Sequence, residues 1–263
     1  MNIDINDSLR AKEIENCTIS TMKREQINIC SNLIASSIFK SPVHVFYNKQ
    51  ENNDQKIAKI TKSVFEKTLS WPDVDNESIF QLDDCKVPKL KAPHSLEIIN
   101  SPLIGILNAY QSNHLIIKNS KIENLETDRF LNHLIIENST IKSSSFQNCE
   151  FNSCAIFSKV TFENAPKISN IKFSSCNVDF ESPIFRKTDS SEALGSFRAL
   201  VKACSDAGYE HGVILFHTLE LKTRYNNHLK SISCFSKEGP EKISSKIHET
   251  VTDYGTNLMK PFR

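Results

Sequence analysis

The chain has 263 residues, 39% of them hydrophobic and 24% charged, with a formal net charge of +1. The balance stays near neutral along its length: −1 before Ser78, +1 from there to residue 188 and +1 beyond. That excludes both the basic excess of a nucleic-acid binder and the acidic excess of a DNA mimic, and the length leaves room for one elongated body with smaller additions.

The first residues, Met1-Asn2-Ile3-Asp4-Ile5-Asn6-Asp7, have neither the basic region nor the apolar run of a signal peptide. No stretch approaches the roughly eighteen apolar residues of a membrane span, so a soluble chain is expected. Residues 25–39, with Ile27, Ile29, Leu33, Ile34 and Ile38, are expected to form a helix ended by Pro42. A strand over 43–47 and a polar turn over 48–54 follow. A second helix is expected over 55–69, with Ile57, Ile60, Val64 and Leu69 on one side and Trp71-Pro72 closing it. On this reading residues 1–77 are an α/β cap.

Beyond it the sequence repeats. Leu96-Glu97-Ile98-Ile99-Asn100-Ser101, Leu115-Ile116-Ile117-Lys118-Asn119-Ser120 and Leu134-Ile135-Ile136-Glu137-Asn138-Ser139 align without gaps, nineteen residues apart. A unit this small cannot bury its own apolar face, so copies must stack as a solenoid. Inside this period lies one of five: Ile136, Ile141, Phe146, Phe151 and Ile156, preceded two residues earlier by Leu134, Ser139, Ser144, Cys149 and Cys154. The phase slips to Phe162 and resumes at Phe173 and Val178, with Cys176 two before the latter. Five fits neither a helix nor an alternating strand. It suits a square coil whose short sides each send one large and one small side chain inward; the alternative is a β-sandwich with coincidental spacing.

These units, above all Ser144-Ser145-Phe146-Gln147-Asn148 and Cys149-Glu150-Phe151-Asn152-Ser153, resemble the pentapeptide-repeat family in degenerate form. The resemblance implies a right-handed quadrilateral β-helix, placed at residues 78–188. Cys149, Cys154 and Cys176 then serve as compact apolar fillers. The eight cysteines contain no CxxC pair or zinc spacing, and a reducing cytosol is the natural setting.

Residues 189–263 turn helical. Ser191 is expected to cap a helix carrying Leu194, Phe197, Val201 and Cys204 on one face, with Gly208 as its stop. A second helix over 210–227 is expected to carry Ile214, Leu215, Thr218, Leu219 and Lys222 on one face. A third starts at Pro240, with Ile243, Ile247 and Val251 inward and Gly255 after its end. The order Phe197-Arg198-Ala199-Leu200, Gly208, Phe216, Glu220, Arg224, Asp253-Tyr254-Gly255 and Pro261 resembles the helical region that follows pentapeptide repeats in membrane-anchored bacterial proteins. There it leads directly into transmembrane helices, whereas the sequence here stops at Arg263. The resemblance implies membrane contact only through a C-terminal extension.

Candidate chemistry is sparse. Glu220 and Arg224 suit an intrahelical ion pair near His217, and Arg198 suits a bridge to Glu220 across the hairpin. His114 and His133 stack on consecutive coils but lack a third metal ligand. Asp73-Asp75 and Asp83-Asp84 are the nearest approach to paired carboxylates. No GxSxG, Walker loop, HExxH or dinucleotide fingerprint occurs. The expectation is a non-catalytic interaction or regulatory module without cofactor or metal, binding protein and not nucleic acid, in the cytoplasm at the inner face of a membrane. A DNA-mimicking topoisomerase regulator and a β-helix enzyme acting on polysaccharide are the alternatives.

Overall fold

The computed structural model describes residues 2–4, 8–10, 13–20, 27–30, 33–46, 57–71, 78–110, 112–130, 132–174 and 176–231. The fold is mainly β, with 54% strand, and is a parallel β-solenoid followed by two helices. One wall is a nine-stranded sheet made of Glu13–Glu15, Leu33–Ala35, Ile57–Thr61, Ile79–Asp83, Ser95–Ile99, His114–Lys118, His133–Glu137, Cys154–Ser158 and Asn177–Glu181. Each strand pairs in parallel with those one coil before and after it. A sixteen-stranded sheet supplies the remaining walls.

A repeated corner explains the Asn-Ser pairs. The residue after each strand of the nine-stranded wall has positive φ, between 46° and 53°: Asn16, Ser36, Lys62, Asp84, Asn100, Asn119, Asn138, Lys159 and Ser182. Asn and Asp tolerate this left-handed geometry best among non-glycine residues, because their short side chains hydrogen-bond locally. The turned amide of each but Ser182, which follows the last strand, donates to the last carbonyl of the next coil's strand, as Asn100 does to Lys118 (3.0 Å) and Asn119 to Glu137 (3.0 Å). Asparagine side chains stack outside: Asn119 Nδ2 donates to Asn100 Oδ1, and Asn100 Nδ2 to Asp83 Oδ1.

The next residue turns inward, and here runs a serine spine. Ser101 N donates to Ser120 Oγ (3.0 Å), and Ser120 N to Ser139 Oγ (3.1 Å). Each of these hydroxyls donates in turn to the carbonyl two residues back in its own coil. Ser37 and Ser63 continue the spine, while Cys17 and Cys85 occupy the same position with a thiol.

The described residues before Ser78 are therefore strands of the solenoid and not an α/β cap. Where helices were expected over 25–39 and 55–69, the chain forms the strands Ile27–Cys30, Leu33–Ala35, Ile38–Phe39, Ile57–Thr61, Val64–Phe65 and Thr68–Ser70. Ile57–Thr61 pairs directly with Ile79–Asp83, so the wall runs unbroken past Ser78. Short apolar runs do not distinguish a helix from a buried strand by spacing alone. Corner residues lie between 16 and 26 positions apart, and only the equal coils around residues 96–141 repeat visibly.

The inward columns are aliphatic in mid-rod, such as Leu96, Leu115 and Leu134, and become aromatic toward the C-terminal end. Phe157 stacks on Phe180, and Phe162 on Phe185, each with centroids 5.1 Å apart. Ile136, Ile141, Phe146, Phe151, Phe162, Phe173 and Val178 are buried, as are Cys149 and Cys154, neither of which is in a disulfide. Ile156 breaks the five-residue pattern. Register sets it beside Ile135 on the outer face, partly exposed, and sends Ala155 and Phe157 inward. The cause lies in the coil from Asn138 to Lys159, which is two residues longer than its predecessor and makes an extra left-handed turn at Asn148.

The helices α1 (Ser191–Asp206) and α2 (Glu210–Ser231) close the last coil. Ser190, not Ser191, is the N-cap; its Oγ accepts from Ala193 N. Gly208 makes the turn at φ 69°. Phe197 meets Phe185 edge-on, Phe216 meets Phe180 at 4.7 Å, and Ser196 Oγ accepts from Ile168 N. The buried face of α2 is Gly212, Phe216, Glu220 and Thr223; Ile214 is 59% exposed, and Leu215, Thr218, Leu219 and Lys222 are partly exposed. Phe216 sets that rotation by filling the mouth of the last coil. Among the described residues no helix is long and apolar enough to cross a membrane. The third helix and the tail, with Tyr254, Gly255 and Pro261, lie outside the described residues.

Candidate functional site

Three features of the surface concentrate chemistry. The first gathers the residues of the hairpin motif. Glu220, nearly buried, accepts from Arg198 Nε (2.8 Å) across the hairpin and from an Arg224 terminal nitrogen (2.9 Å) along its own helix, with His217 Nδ1 at 3.5 Å. Burial opposes ionisation of this carboxyl. The hydrogen bond and charge of Arg198, aided by Arg224, outweigh it and hold the pKa below the usual carboxylate range. Both cations spend their reach on one anion, so the cluster acts as a clamp between α1 and α2. Phe197 and Phe216 lie beneath it, against the coil end.

The second feature is a cleft of about 470 Å³ on the sixteen-stranded sheet, lined by Tyr110, Asn124, Glu126, Ser143, Ser145, Gln147 and Lys167. Its polar groups are largely turned on one another. Tyr110 OH and Asn124 Nδ2 both donate to Glu126 (3.0 and 2.7 Å), Gln147 Nε2 donates to Ser145 Oγ, and Lys167 pairs with Glu192. This is a self-satisfied trough. Ser144 in its wall is buried in register with Leu125, and its hydroxyl has no partner.

The third feature is the outer face of the nine-stranded wall. Strand pairing aligns Glu97, Ile116, Ile135, Ile156 and Asp179 in one column along the rod. Ile116, Ile135 and Ile156 are partly exposed. On one side runs the column His114, His133, Cys154; on the other Ile99, Lys118, Glu137, Ser158. The imidazoles of His114 and His133 stack with centroids 4.4 Å apart and planes 16° from parallel. Burial pushes both pKa values down; for His114 the neighbouring His133 adds to this and Glu97 opposes it. Cys154 Sγ lies 4.0 Å from His133 Nε2, and burial raises the thiol's pKa. Lys118 pairs with Glu137 at 2.9 Å.

Asp83 and Asp84 form no acid pair: Asp83 accepts from the asparagine ladder and Asp84 is a corner residue. Among the described residues no group of three His, Cys, Asp or Glu side chains converges on a metal position. Sequence reasoning missed the isoleucine column because it sought the inward face. The signal was present in the doubled Ile-Ile of Ile116-Ile117 and Ile135-Ile136, whose members point to opposite sides of a strand. No family model, no curated protein and no solved structure matches the chain. The class that fold and surface define is a parallel β-solenoid closed by a helical hairpin, with an apolar column on its flat wall.

Proposed function

We propose that this chain is a non-catalytic docking module: a solenoid of the pentapeptide-repeat type that holds a protein partner on its nine-stranded wall. The observation that carries this reading is the Ile116-Ile135-Ile156 column. It puts apolar side chains at the centre of a flat, rigid face and frames them with imidazoles on one side and the Lys118–Glu137 pair on the other. An apolar centre inside a polar rim is the anatomy of a protein interface. Isoleucines on a solvated strand face contribute little to folding, whereas their burial by a partner gains about 25 cal/mol per Å² of apolar surface. Carboxylates elsewhere on the rod are interleaved with lysines, as in Lys121–Glu123–Lys142 and Lys159–Glu181, which favours protein over DNA mimicry as the basis of recognition.

The five-residue spacing of the buried Ile136, Ile141, Phe146 and Phe151, with small Ser139, Ser144 and Cys149 two residues before, supports the family reading. Phe197, Arg198, Phe216, Glu220 and Arg224 meeting in one hairpin support the kinship with membrane-anchored forms. A cytoplasmic position at the inner face of a membrane is part of the same proposal and rests on that kinship.

The test is a photo-crosslinking residue placed at Ile135 and, as control, at the outward Lys121 of the other sheet. Crosslinking in cells should give a discrete protein adduct from position 135 that disappears when Ile116→Asp and Ile156→Asp are added. Equal adduct patterns from both positions would overturn the docking role of this wall.

A further inference from the structure

The chemistry of the face narrows its occupant. Resting on the docking reading above, we infer that the nine-stranded wall receives a short amphipathic helix, laid along the rod, that carries a basic residue beyond each end of its apolar row.

The length argument comes from register. Ile116, Ile135 and Ile156 occupy consecutive strands of one column, so at about 4.8 Å per strand the apolar row is about 10 Å long. A helix rising 1.5 Å per residue presents three apolar side chains at i, i+3 or i+4, and i+7 over about 10.5 Å. The wall's interior has no free strand edge to accept a β-strand, because every strand from Leu33–Ala35 to Cys154–Ser158 is paired on both sides. A flat apolar sheet face is covered by a helix or by another sheet.

The charge argument comes from the ends of the same column. Glu97 closes the row on one side and Asp179 on the other. Gln81 Nε2 donates to Glu97, and among the described residues neither carboxylate is in an ion pair. Lys118 and Glu137 beside the row neutralise each other. His114 and His133, with depressed pKa values, are neutral near pH 7, and Glu181 reaches Ser158 and Lys159. The two charges that bound the apolar row are thus both negative, with Lys59 two strands beyond Glu97 in the same column, and they stand four strand steps apart, about 19 Å, or about thirteen helical residues. A second copy laid antiparallel, row on row, sets the acidic end of one row against the acidic end of the other. A helix with Lys or Arg at each end meets both carboxylates.

The experiment uses the full chain and two stapled, fluorescently labelled helical peptides of about eighteen residues. Both carry the same row of three leucines; one has lysine beyond each end of the row and the other glutamate. Anisotropy titrations at low salt should favour the lysine-ended peptide at least about tenfold, with the preference shrinking as salt screens it. The double variant Glu97→Gln/Asp179→Asn should abolish the preference, and Ile135→Asp should abolish binding of both peptides, with melting temperature unchanged in each case. Equal binding of the two peptides overturns the helix-with-basic-ends inference, even while the crosslink at position 135 stands. So does a dimer in light scattering that Ile135→Asp dissociates, because the second copy then covers the wall. Binding insensitive to Ile135→Asp removes both this inference and the docking reading beneath it.

Discussion

Truncating the middle of the serine spine isolates what holds the coils in register. Ser120 Oγ accepts from the buried amide of Ser101 at 3.0 Å and donates to Lys118 O at 2.7 Å. In Ser120→Ala the Lys118 carbonyl keeps a partner, since Asn100 N also donates to it. The Ser101 amide does not: Ser101 is 0% exposed, so no water replaces the lost hydroxyl. Leaving a buried donor unsatisfied costs about 1–3 kcal/mol, and the second bond is worth about 0.5–1.5 net. The sum is about 1.5–4.5 kcal/mol. A stack of repeats does not unfold as one two-state unit, so the readout should be local: amide exchange of Ser101 by NMR or mass spectrometry, beside the urea midpoint. Protection at Ser101 should fall at least about tenfold. Ser120→Cys should cost less than Ser120→Ala, because the spine already uses a thiol at Cys85, at which the Ser63 backbone aims its hydrogen bond. An alanine variant within about 0.5 kcal/mol of the parent, or a cysteine variant as damaged as alanine, would refute the spine as a source of stability.

Gly105→Ala should be more damaging than any outward substitution, because its new Cβ would sit 2.1 Å from the Pro88 carbonyl oxygen of the preceding coil; a melting temperature within a degree or two of the parent would contradict that contact. At the corner, Asn138 has φ 46°, so Asn138→Gly should be close to neutral and Asn138→Val should cost about 1–3 kcal/mol, a difference that denaturation of the pair checks directly. The stacked imidazoles make stability depend on pH. Their folded pKa values lie below the ordinary 6.5, so the unfolded chain takes up protons first. Their contribution is full above about pH 6.5 and is lost as pH falls through the folded values. The urea midpoint should drop between pH 7.5 and 5, and His114→Gln/His133→Gln should flatten that drop; an unchanged slope in the double variant would exclude the pair as its source.

How much of this was legible in the sequence depends on coil length. Where two successive coils have nineteen residues, as between Asn100 and Asn138, identical positions recur and the solenoid can be read by eye. Where coils lengthen, as between Ser36 and Lys62, the same corner and the same inward serine are present but nothing marks their spacing. The expected helix over 55–69 begins there, and the one over 25–39 runs into its start. Ile34 and Phe39 obey the five-residue inward rule as well as Ile136 and Ile141 do, yet Ile38 beside them mimics a helical stripe. The hairpin was placed correctly from its Ser, Gly and aromatic signals, but the rotation of α2 was not. Which face turns in was decided by Phe216 meeting Phe180 and Phe185, a contact with another part of the chain. Glu220 was legible as a partner of Arg224 from spacing of four, and as a partner of Arg198 from the hairpin.

The outer wall is a different case, and its logic follows from the corner. Once Asn119, Ser120 and their equivalents fix each coil against the next, stability resides in the inward columns, the spine and the ladders, none of which uses the side chains of Ile116, Ile135 or Ile156. The outer positions of the strands are thereby free to vary without cost to the fold. The column does not look like free variation: three isoleucines coincide on consecutive strands, and a carboxylate in no ion pair among the described residues stands at each end. Inward aliphatic columns need no partner beyond the neighbouring coil. An outward one gains its burial only when something else covers it, and single exposed aliphatics elsewhere, such as Leu103 and Ile106, do not line up on consecutive strands as Ile116, Ile135 and Ile156 do.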